Sequence, residues 1–176
     1  MISPPEDCRG CDLCAGRHNI VLPYGNMDSG IVFIGEAPGE NEDLQGKPFV
    51  GRAGKILDDA MEKAGISRND IIITNTVKCR PPNNREPTDE EMRACRPYLE
   101  SELKGKRLVV ALGKTSSRNF VEFKGSMKSI VNKVVQIDID GEKVDFLPAY
   151  HPMACVYMKE ARESLVETMR IVRGLL

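Results

Sequence analysis

Three short segments of the chain are apolar almost throughout and predict buried strands. They span residues 31–35, 70–75 and 107–113 and consist mainly of valine, isoleucine and leucine. Residues 133–152 instead alternate between apolar and polar positions and reverse at an Asp-Gly pair (140–141), which is typical of a two-residue hairpin turn. The pattern therefore predicts three buried strands followed by a β-hairpin.

Apolar residues recur between and after these strands at the spacing of an amphipathic helix. The predicted helices span residues 51–66, 88–103, 114–123 and 158–174. Gly65 fits the end of the first helix, and Thr88 with Glu91 forms a capping box at the start of the second. Pro97 should kink or interrupt that second helix, because proline has no backbone N–H to donate.

Apolar strands that alternate with helices predict an α/β fold. We expect three layers, α/β/α, around a central, mostly parallel sheet of four strands. Ligands of such sheets bind beyond the carboxyl ends of the strands. The segments that follow strands are GEAPGENED (35–43), NTVKCRPPNNR (75–85) and AYHP (149–152), and we expect them to form the functional site.

The composition is that of an ordinary globular protein. The 176 residues are 41% hydrophobic, and the formal net charge of −1 argues against a basic, non-specific nucleic-acid coat. No apolar run approaches the roughly 18 residues of a membrane span, and residues 1–7 lack the features of a signal peptide. We expect a single domain over residues 1–176 that is cytoplasmic and monomeric and does not contact a membrane.

The cysteines form two separated pairs. The six cysteines are Cys8, Cys11, Cys14, Cys79, Cys95 and Cys155. Because disulfides are rare in the cytoplasm, metal binding is the stronger interpretation of the C-x2-C pair formed by Cys8 and Cys11. Together with Cys79 and Cys95 this pair supplies four thiolates, which suit tetrahedral zinc or an iron–sulfur cluster, and the spacing does not decide between them. Cys155 is expected to be a packed thiol.

The loop at residues 35–54 is rich in glycine but matches no common phosphate-binding motif. It lacks both the G-K-[ST] of a Walker loop and the glycine spacing of a dinucleotide-binding turn. It holds several acidic residues, among them Glu36 and Glu42, and one aromatic residue, Phe49. Taken alone, such carboxylates are typical of a solvated surface, and such an aromatic residue is typical of a core anchor.

Four ordered motifs resemble family 4 of the uracil-DNA glycosylase superfamily, its iron–sulfur-containing branch. GEAPGENED followed by GKPFVGRAG (46–54) is similar to the first motif of that family, TNTVKCRPPNNREPT (74–88) to its central motif, and AYHP (149–152) to its final motif. The cysteine pattern is also that of the family. The resemblance runs from Cys8 to the closing helix, and four matches in order are more specific than any one of them.

The resemblance implies a fold, a cofactor and a reaction. The fold would be uracil-DNA glycosylase-like, and Cys8, Cys11, Cys79 and Cys95 would hold a structural [4Fe–4S] cluster that ties in the N-terminal arm (1–30), with Cys14 as a spare. The enzyme would be a monofunctional hydrolase that acts on uracil-containing DNA, single- or double-stranded. It would flip the nucleotide out, release uracil and leave an abasic site for base-excision repair.

The same resemblance implies roles for individual site residues. Phe49 would stack on the flipped base, and Asn75 would read the O4 and N3–H edge of uracil. His151 would donate a hydrogen bond to O2 as a neutral imidazole and stabilise the leaving anion. A carboxylate should orient the attacking water. We favour Glu42 for this task, and expect Glu36 to tie the loop through backbone hydrogen bonds. The remaining substrate-binding positions are Gly35, Ala37, Pro38 and Gly39.

DNA contacts are expected from a few local residues. Backbone N–H groups of the turns at 35–39 and 81–87, with Arg80 or Arg85, would contact phosphates. Lys78 and Arg80 are also compatible with simple solvated cations. Val156 or Tyr157 would be the wedge that fills the space left by the flipped base. The arginine that follows the wedge in many members of the family is missing here, and its absence is expected to weaken action on duplex relative to single-stranded DNA.

Three other functions remain compatible with the sequence. The first is a superfamily relative that acts on other deaminated bases, although Asn75 suits a uracil-like edge. The second is a non-catalytic binder of DNA damage with an intact pocket. The third, which sets the resemblance aside, is a redox or zinc-binding protein with four cysteine ligands and no role on DNA.

Overall fold

The computed structural model describes residues 1–176, which form one six-stranded mixed sheet flanked by six α-helices. The strands are β1 (Tyr24–Gly25), β2 (Ile31–Gly35), β3 (Ile72–Asn75), β4 (Leu108–Leu112), β5 (Val135–Ile139) and β6 (Glu142–Ala149). The helices are α1 (Glu40–Gln45), α2 (Arg52–Lys63), α3 (Asp89–Leu103), α4 (Lys114–Arg118), α5 (Ala154–Tyr157) and α6 (Lys159–Leu175). None of the helices is both long and apolar enough to cross a membrane.

The centre of the sheet is parallel, as the sequence predicts, but the sheet has six strands rather than four. The strand order is β1-β3-β2-β4-β6-β5, in which β3, β2, β4 and β6 run parallel and the two edge strands run antiparallel to their neighbours. The prediction of four strands was wrong because β1 has only two residues, too few for a periodic signal, and because β5 extends the same sheet through the hairpin.

Helices cover both faces of the sheet and confirm the three layers. On one face the strand residues Ile31 and Phe33 pack in a core of 20 buried residues with side chains from α2 and α6. On the other face Val32 and Ile34 pack with residues that include Leu99 and Leu103 of α3. Because neighbouring strand residues point to opposite faces, burial on both faces explains why β2 and β4 are apolar throughout.

Several element boundaries differ from the sequence prediction. The helix expected over residues 114–123 ends at Arg118, since Arg96 of α3 binds the carbonyl oxygen of Asn119 at 2.5 Å and lies over the Phe120 ring. α3 begins at the expected Thr88 capping box and continues through Pro97 without interruption. The short helices α1 and α5 were not predicted. The hairpin turn is confirmed, because Asp140 and Gly141 both have positive φ angles.

Backbone hydrogen bonds join the N-terminal arm to the sheet. β1 pairs with β3 at the edge of the sheet, and the Val21 N–H donates to the carbonyl oxygen of Lys78 at 2.8 Å. A second contact joins the arm to α1: the buried carboxylate of Asp43 accepts hydrogen bonds from the backbone N–H groups of His18 and Asn19. The arm therefore reaches the loops that follow both β2 and β3.

Candidate active site

A cavity of about 300 Å³ opens where the segments after β2, β3 and β6 meet, at the carboxyl ends of the parallel strands. Nine residues singled out by sequence line it: Glu36, Ala37, Pro38, Gly39, Glu42, Phe49, Asn75, Arg85 and His151. Gly35 lies behind the cavity, where an added Cβ atom would be 2.5 Å from both Asn75 Oδ1 and the Phe49 ring. The three segments expected to form the site are thus brought together.

Phe49 is held in an unusual backbone conformation. Its φ angle is +54°, a region that non-glycine residues rarely adopt. Gly54 allows it, because a Cβ atom at that position would overlap the Phe49 carbonyl group. The guanidinium of Arg68 donates hydrogen bonds to the carbonyl oxygens of Pro48 and Phe49 and is itself held by Asp58. These contacts fix the Phe49 ring against the cavity.

Asn75 ends β3 and presents its side-chain amide to the cavity. The residue is 2% exposed, yet its side chain makes no hydrogen bond to any other group of the protein. Buried polar groups normally have hydrogen-bond partners. One donor and one acceptor, directed along one edge, are therefore available to a ligand that presents the complementary groups.

His151 is held as a neutral ring with a defined tautomer. Its Nδ1 accepts a hydrogen bond from the backbone N–H of Met153 at 3.1 Å, so the neutral ring carries its proton on Nε2. Burial lowers the pKa of His151 from 6.5 to about 4. The imidazole lies beside Phe49, with ring centroids 6.3 Å apart. His151 can therefore donate a hydrogen bond at neutral pH without carrying a positive charge.

Glu42 makes the backbone hydrogen bonds that the sequence analysis assigned to Glu36. Its Oε1 accepts from the N–H of Gly39 at 3.1 Å, and its Oε2 accepts from Val50 and Gly51 at 3.0 and 2.8 Å. The carboxylate thereby joins the start of α1 to the start of α2 and shapes the loop between them. The prediction that Glu36 makes these bonds was wrong, because the Glu36 side chain lies on the other side of the cavity, beside Thr115 and Glu86.

Glu36 is the less constrained of the two carboxylates. Burial raises its pKa from 4.5, the nearby Thr115 hydroxyl acts in the opposite direction, and the negative charge of Glu86 raises it further. The Thr115 hydroxyl donates to Glu86 Oε1 at 3.3 Å. Glu36 and His151 line the main cavity and also a smaller adjoining one, which includes Lys114. Glu36 therefore lies at the junction between the cavity and a second opening.

Arg85 reaches the mouth of the cavity while tied to α3. Its guanidinium forms a two-point ion pair with Glu91, at 2.6 and 3.0 Å, and donates to the carbonyl oxygen of Glu86 at 2.9 Å. This hydrogen-bonded pairing is the main reason that the pKa of Glu91 is lowered. The side chain of Arg85 is still 41% exposed, so it remains accessible to an anion.

The two wedge candidates lie outside the cavity, on the short helix α5. Tyr157 is 79% exposed, whereas Val156 is only partly buried and faces a groove between α2 and α6. Arg162 fixes the base of this helix by donating to the carbonyl oxygen of Cys155 at 2.8 Å. The exposed aromatic ring of Tyr157 is the more prominent projection beside the site.

Four cysteines line a separate cavity between the N-terminal arm and α3. These are Cys8, Cys11, Cys79 and Cys95, all present as free thiols, whereas Cys14 and Cys155 do not line it. Arg17 donates a hydrogen bond to Cys79 Sγ at 3.6 Å, and burial raises the pKa of that thiol to about 11. No three histidine, cysteine, aspartate or glutamate side chains converge closely enough to bind a single metal ion.

Lys78 is buried, contrary to the interpretation of this residue as a solvated cation. It is 1% exposed and is paired with Glu102. Arg80 is half-buried, and its Nε donates to Asn84 Oδ1 at 2.8 Å.

Several residues of the site were not predicted from the sequence. Five further residues line the cavity: Ala53, Gly54, Pro81, Asn84 and Met153. Arg68 lies outside it and acts on Phe49 from behind. The Asn83-Asn84 pair could have indicated a tight turn at the cavity, because asparagine tolerates the positive φ angles that both residues adopt. No local pattern identifies Arg68, whose partners are about 20 residues away.

Comparison with known proteins gives a consistent result. The sequence model of the Uracil DNA glycosylase superfamily matches residues 22–172. A type-4 uracil-DNA glycosylase of Saccharolobus solfataricus is 45% identical over 176 aligned residues, covering 96% of this chain and 82% of the relative. A type-4 uracil-DNA glycosylase of Archaeoglobus fulgidus is 42% identical, and the alignment covers 89% of this chain and 81% of the relative. One of Thermotoga maritima is 47% identical, and the alignment covers 84% of this chain and 77% of the relative.

Proposed function

The chain belongs to the uracil-DNA glycosylase superfamily, and on this premise we propose that it excises uracil from DNA. The enzyme hydrolyses the N-glycosidic bond of a flipped deoxyuridine, releases uracil and leaves an abasic site. The observation that carries the proposal is the unpaired Asn75 amide in the same cavity as a neutral His151.

Base selection comes from Asn75 and Phe49. The amide of Asn75 accepts from N3–H and donates to O4 of uracil, and the Phe49 ring stacks on the base. Cytosine presents the opposite pattern on that edge, so binding it would leave buried polar groups unpaired. Each unpaired group costs about 1–3 kcal/mol, and two of them give strong discrimination.

His151 stabilises the leaving base. Negative charge develops on O2 of uracil as the bond to the sugar breaks. The Nε2–H of a neutral imidazole donates to that oxygen, and the Met153 N–H keeps the ring in the required tautomer. Because the burial that lowers its pKa also disfavours the charged ring, His151 acts as a hydrogen-bond donor without becoming an imidazolium.

We propose that Glu36 orients the attacking water and that Glu42 shapes the pocket. Both oxygens of Glu42 already accept backbone hydrogen bonds, which suits a fixed wall of the base pocket. Glu36 is free of such bonds, lies beside His151 and borders a second opening through which water can enter. Its ionised carboxylate orients the water and stabilises positive charge on the sugar.

Residues at the rim of the cavity contact the DNA. The exposed part of the Arg85 guanidinium binds a backbone phosphate, which positions the strand without reading its sequence. Tyr157, with Val156 beside it, fills the space left by the flipped nucleotide. An aromatic side chain can stack on bases of single-stranded DNA as well as enter a duplex.

The four-cysteine cavity would hold a [4Fe–4S] cluster. The four free thiols that line this cavity are the donor set of a cysteine-ligated cluster. When bound, the cluster would link the N-terminal arm to the loop after β3. With its four irons held by Cys8, Cys11, Cys79 and Cys95, it would have a structural role and would leave no site for substrate.

A strand-cleavage assay on defined oligonucleotides tests the proposal. The substrates carry one uracil, thymine or hypoxanthine, or no altered base, and each is offered single- and double-stranded before alkali treatment. The proposal predicts cleavage at uracil alone. Cleavage at hypoxanthine with uracil untouched would assign the pocket to another deaminated base. Binding without cleavage at any base would identify a damage binder instead.

A further inference from the structure

A fully buried ion pair lies directly behind Asn75, and the proposed reaction does not use it. The side chains of Lys78 and Glu102 are 1% and 2% exposed, and Lys78 Nζ is 2.8 Å from Glu102 Oε2. The ammonium also donates to Thr74 Oγ1 at 2.7 Å and to the backbone carbonyl oxygen of Asn75 at 2.8 Å. All three of its protons therefore have partners, and one of them belongs to Asn75.

Stability alone is a weak reason for such a pair. Removing two charges from water is costly, and well-packed apolar residues of the same volume often give equal or greater stability. Thr74 adds a further bond by donating to Glu102 Oε2 at 2.8 Å, so Lys78, Thr74 and Glu102 form a closed ring of hydrogen bonds. Buried hydrogen bonds of this kind hold their members in one arrangement.

The backbone of Lys78 connects this network to the four-cysteine cavity. Its carbonyl oxygen accepts from Val21 of the N-terminal arm at 2.8 Å. Lys78 itself lines the cavity, and so does the next residue, Cys79. Lys78 thus borders the cysteine site and contacts Asn75 through its side chain.

We propose that Lys78 is a positioning residue that couples the seating of the four cysteines to the orientation of the Asn75 amide. The ammonium holds the Asn75 carbonyl in place and so sets the direction of the side chain that reads the base. The inference rests on the proposed function, since it assumes that Asn75 contacts uracil. Neither methionine, which lacks a donor, nor a bulkier side chain can replace lysine in so closed a space.

Two variants of the same ion pair separate positioning from stability. Lys78→Met removes the donor to Asn75. Glu102→Gln removes the opposite charge but keeps an oxygen that can accept from Lys78 and Thr74, so the bond to Asn75 survives. Leu99→Ala, a buried change on the same helix as Glu102, controls for loss of packing. Asn75→Ala serves as the reference for lost base recognition.

The measurement is binding to two oligonucleotides by fluorescence anisotropy. One carries 2′-fluoroarabinouridine, a uracil nucleotide that resists hydrolysis, and the other carries a tetrahydrofuran abasic analogue. The ratio of their dissociation constants reports base recognition alone. Iron content and visible absorption are recorded for every variant, so that the occupancy of the cysteine site is known independently of activity.

Lys78→Met should lose about tenfold in preference for the uracil oligonucleotide, whereas Glu102→Gln and Leu99→Ala should each lose less than about threefold. Equal losses in Lys78→Met and Glu102→Gln would reduce the pair to a stabilising contact and overturn the inference. If Lys78→Met does not fold, the double variant Lys78→Met/Glu102→Gln, which buries no unpaired charge, takes its place.

The Asn75→Ala variant distinguishes failure of the positioning role of Lys78 from failure of the proposed uracil recognition by Asn75. If Asn75→Ala loses the preference and the Lys78 variants keep it, only the positioning role fails. If Asn75→Ala itself keeps the preference, the assignment of uracil recognition to Asn75 falls, and the inference falls with it.

Discussion

Four side chains divide the proposed chemistry, and their roles follow from what each already contacts. Asn75 has no partner in the protein, Nδ1 of His151 is occupied, and both oxygens of Glu42 are bound to backbone N–H groups. Glu36 alone combines a raised pKa with a place beside an opening. The distinction between the two glutamates therefore rests on hydrogen bonding.

The pH dependence of the chemical step provides a test of Glu36. Its ionised form is required, and burial raises its pKa from 4.5, so activity should fall as the pH drops through that raised value. Thr115→Val removes the hydroxyl group that lowers this pKa and should move the acid limb to higher pH. Glu86→Gln removes a charge that raises it and should move the limb to lower pH. Single-turnover rates measured across the acid range check both directions.

His151 should titrate below the midpoint of that limb. Its pKa is lowered to about 4, whereas the pKa of Glu36 is raised above 4.5, so the ring gains its second proton only after Glu36 has begun to lose activity. The assignment of water activation to Glu36 would be contradicted if the acid limb stayed at the same pH in both the Thr115 and Glu86 variants and was lost in His151→Gln.

Gly35 provides a steric test of the base pocket. A Cβ atom there would be 2.5 Å from the Phe49 ring and from Asn75 Oδ1, so Gly35→Ala should displace both base-contacting groups. We expect kcat/KM on a uracil oligonucleotide to fall about a hundredfold or more, as small misplacements of reacting groups commonly do. Gly16→Ala, where nothing lies within 4 Å of the added atom, is the control and should leave the rate unchanged.

At the scale of elements, the loop between β2 and α2 is shaped by residues remote in sequence. Arg68, which begins a short 3-10 helix before β3, holds the Phe49 backbone, and Glu42 of α1 ties that helix to the start of α2. The periodic strands and the Thr88 cap could be predicted because local sequence determines them. α1 and the roles of the glutamates could not, because they depend on contacts between distant segments.

The Arg68 contact gives a prediction at this scale. Arg68→Gln should release the strained Phe49 backbone and lower kcat/KM by about tenfold through lost hydrogen bonds. Asp58→Asn breaks the partly exposed ion pair but leaves the bonds to Pro48 and Phe49, so its effect should stay below about twofold. Steady-state kinetics of both variants, at equal iron content, check these two predictions. Equal effects of the two substitutions would show that the hydrogen bonds to Pro48 and Phe49 do not support activity.

At the scale of the whole molecule, the three layers and the position of the site could be predicted, but the extent of the sheet could not. Contiguous apolar strands require helices on both faces, and parallel strands gather their following loops at one edge. The sheet grows to six strands through β1 and β5, whose pairing depends on the arm and on the hairpin. Lys78 shows the same limit, since nothing near it in sequence reveals Glu102.

The four cysteines supply a prediction about the integrity of the whole fold. Cys79→Ser should abolish visible absorption near 400 nm and lower the melting temperature, because the arm loses its link to the loop after β3. Cys155→Ser and Cys14→Ser should retain full iron content, since neither residue lines the cysteine cavity. Bound zinc with no visible absorption in the unaltered protein would contradict the cluster.

The most direct measurement is the release of free uracil by proteins with equal iron content. The unaltered enzyme, Asn75→Ala and His151→Ala are incubated with a single-uracil oligonucleotide, and the freed base is quantified by mass spectrometry. The structure predicts uracil from the unaltered enzyme and a loss of several orders of magnitude in both variants, with the cluster retained. Uracil release that survives both substitutions would contradict the claim that this cavity is the active site.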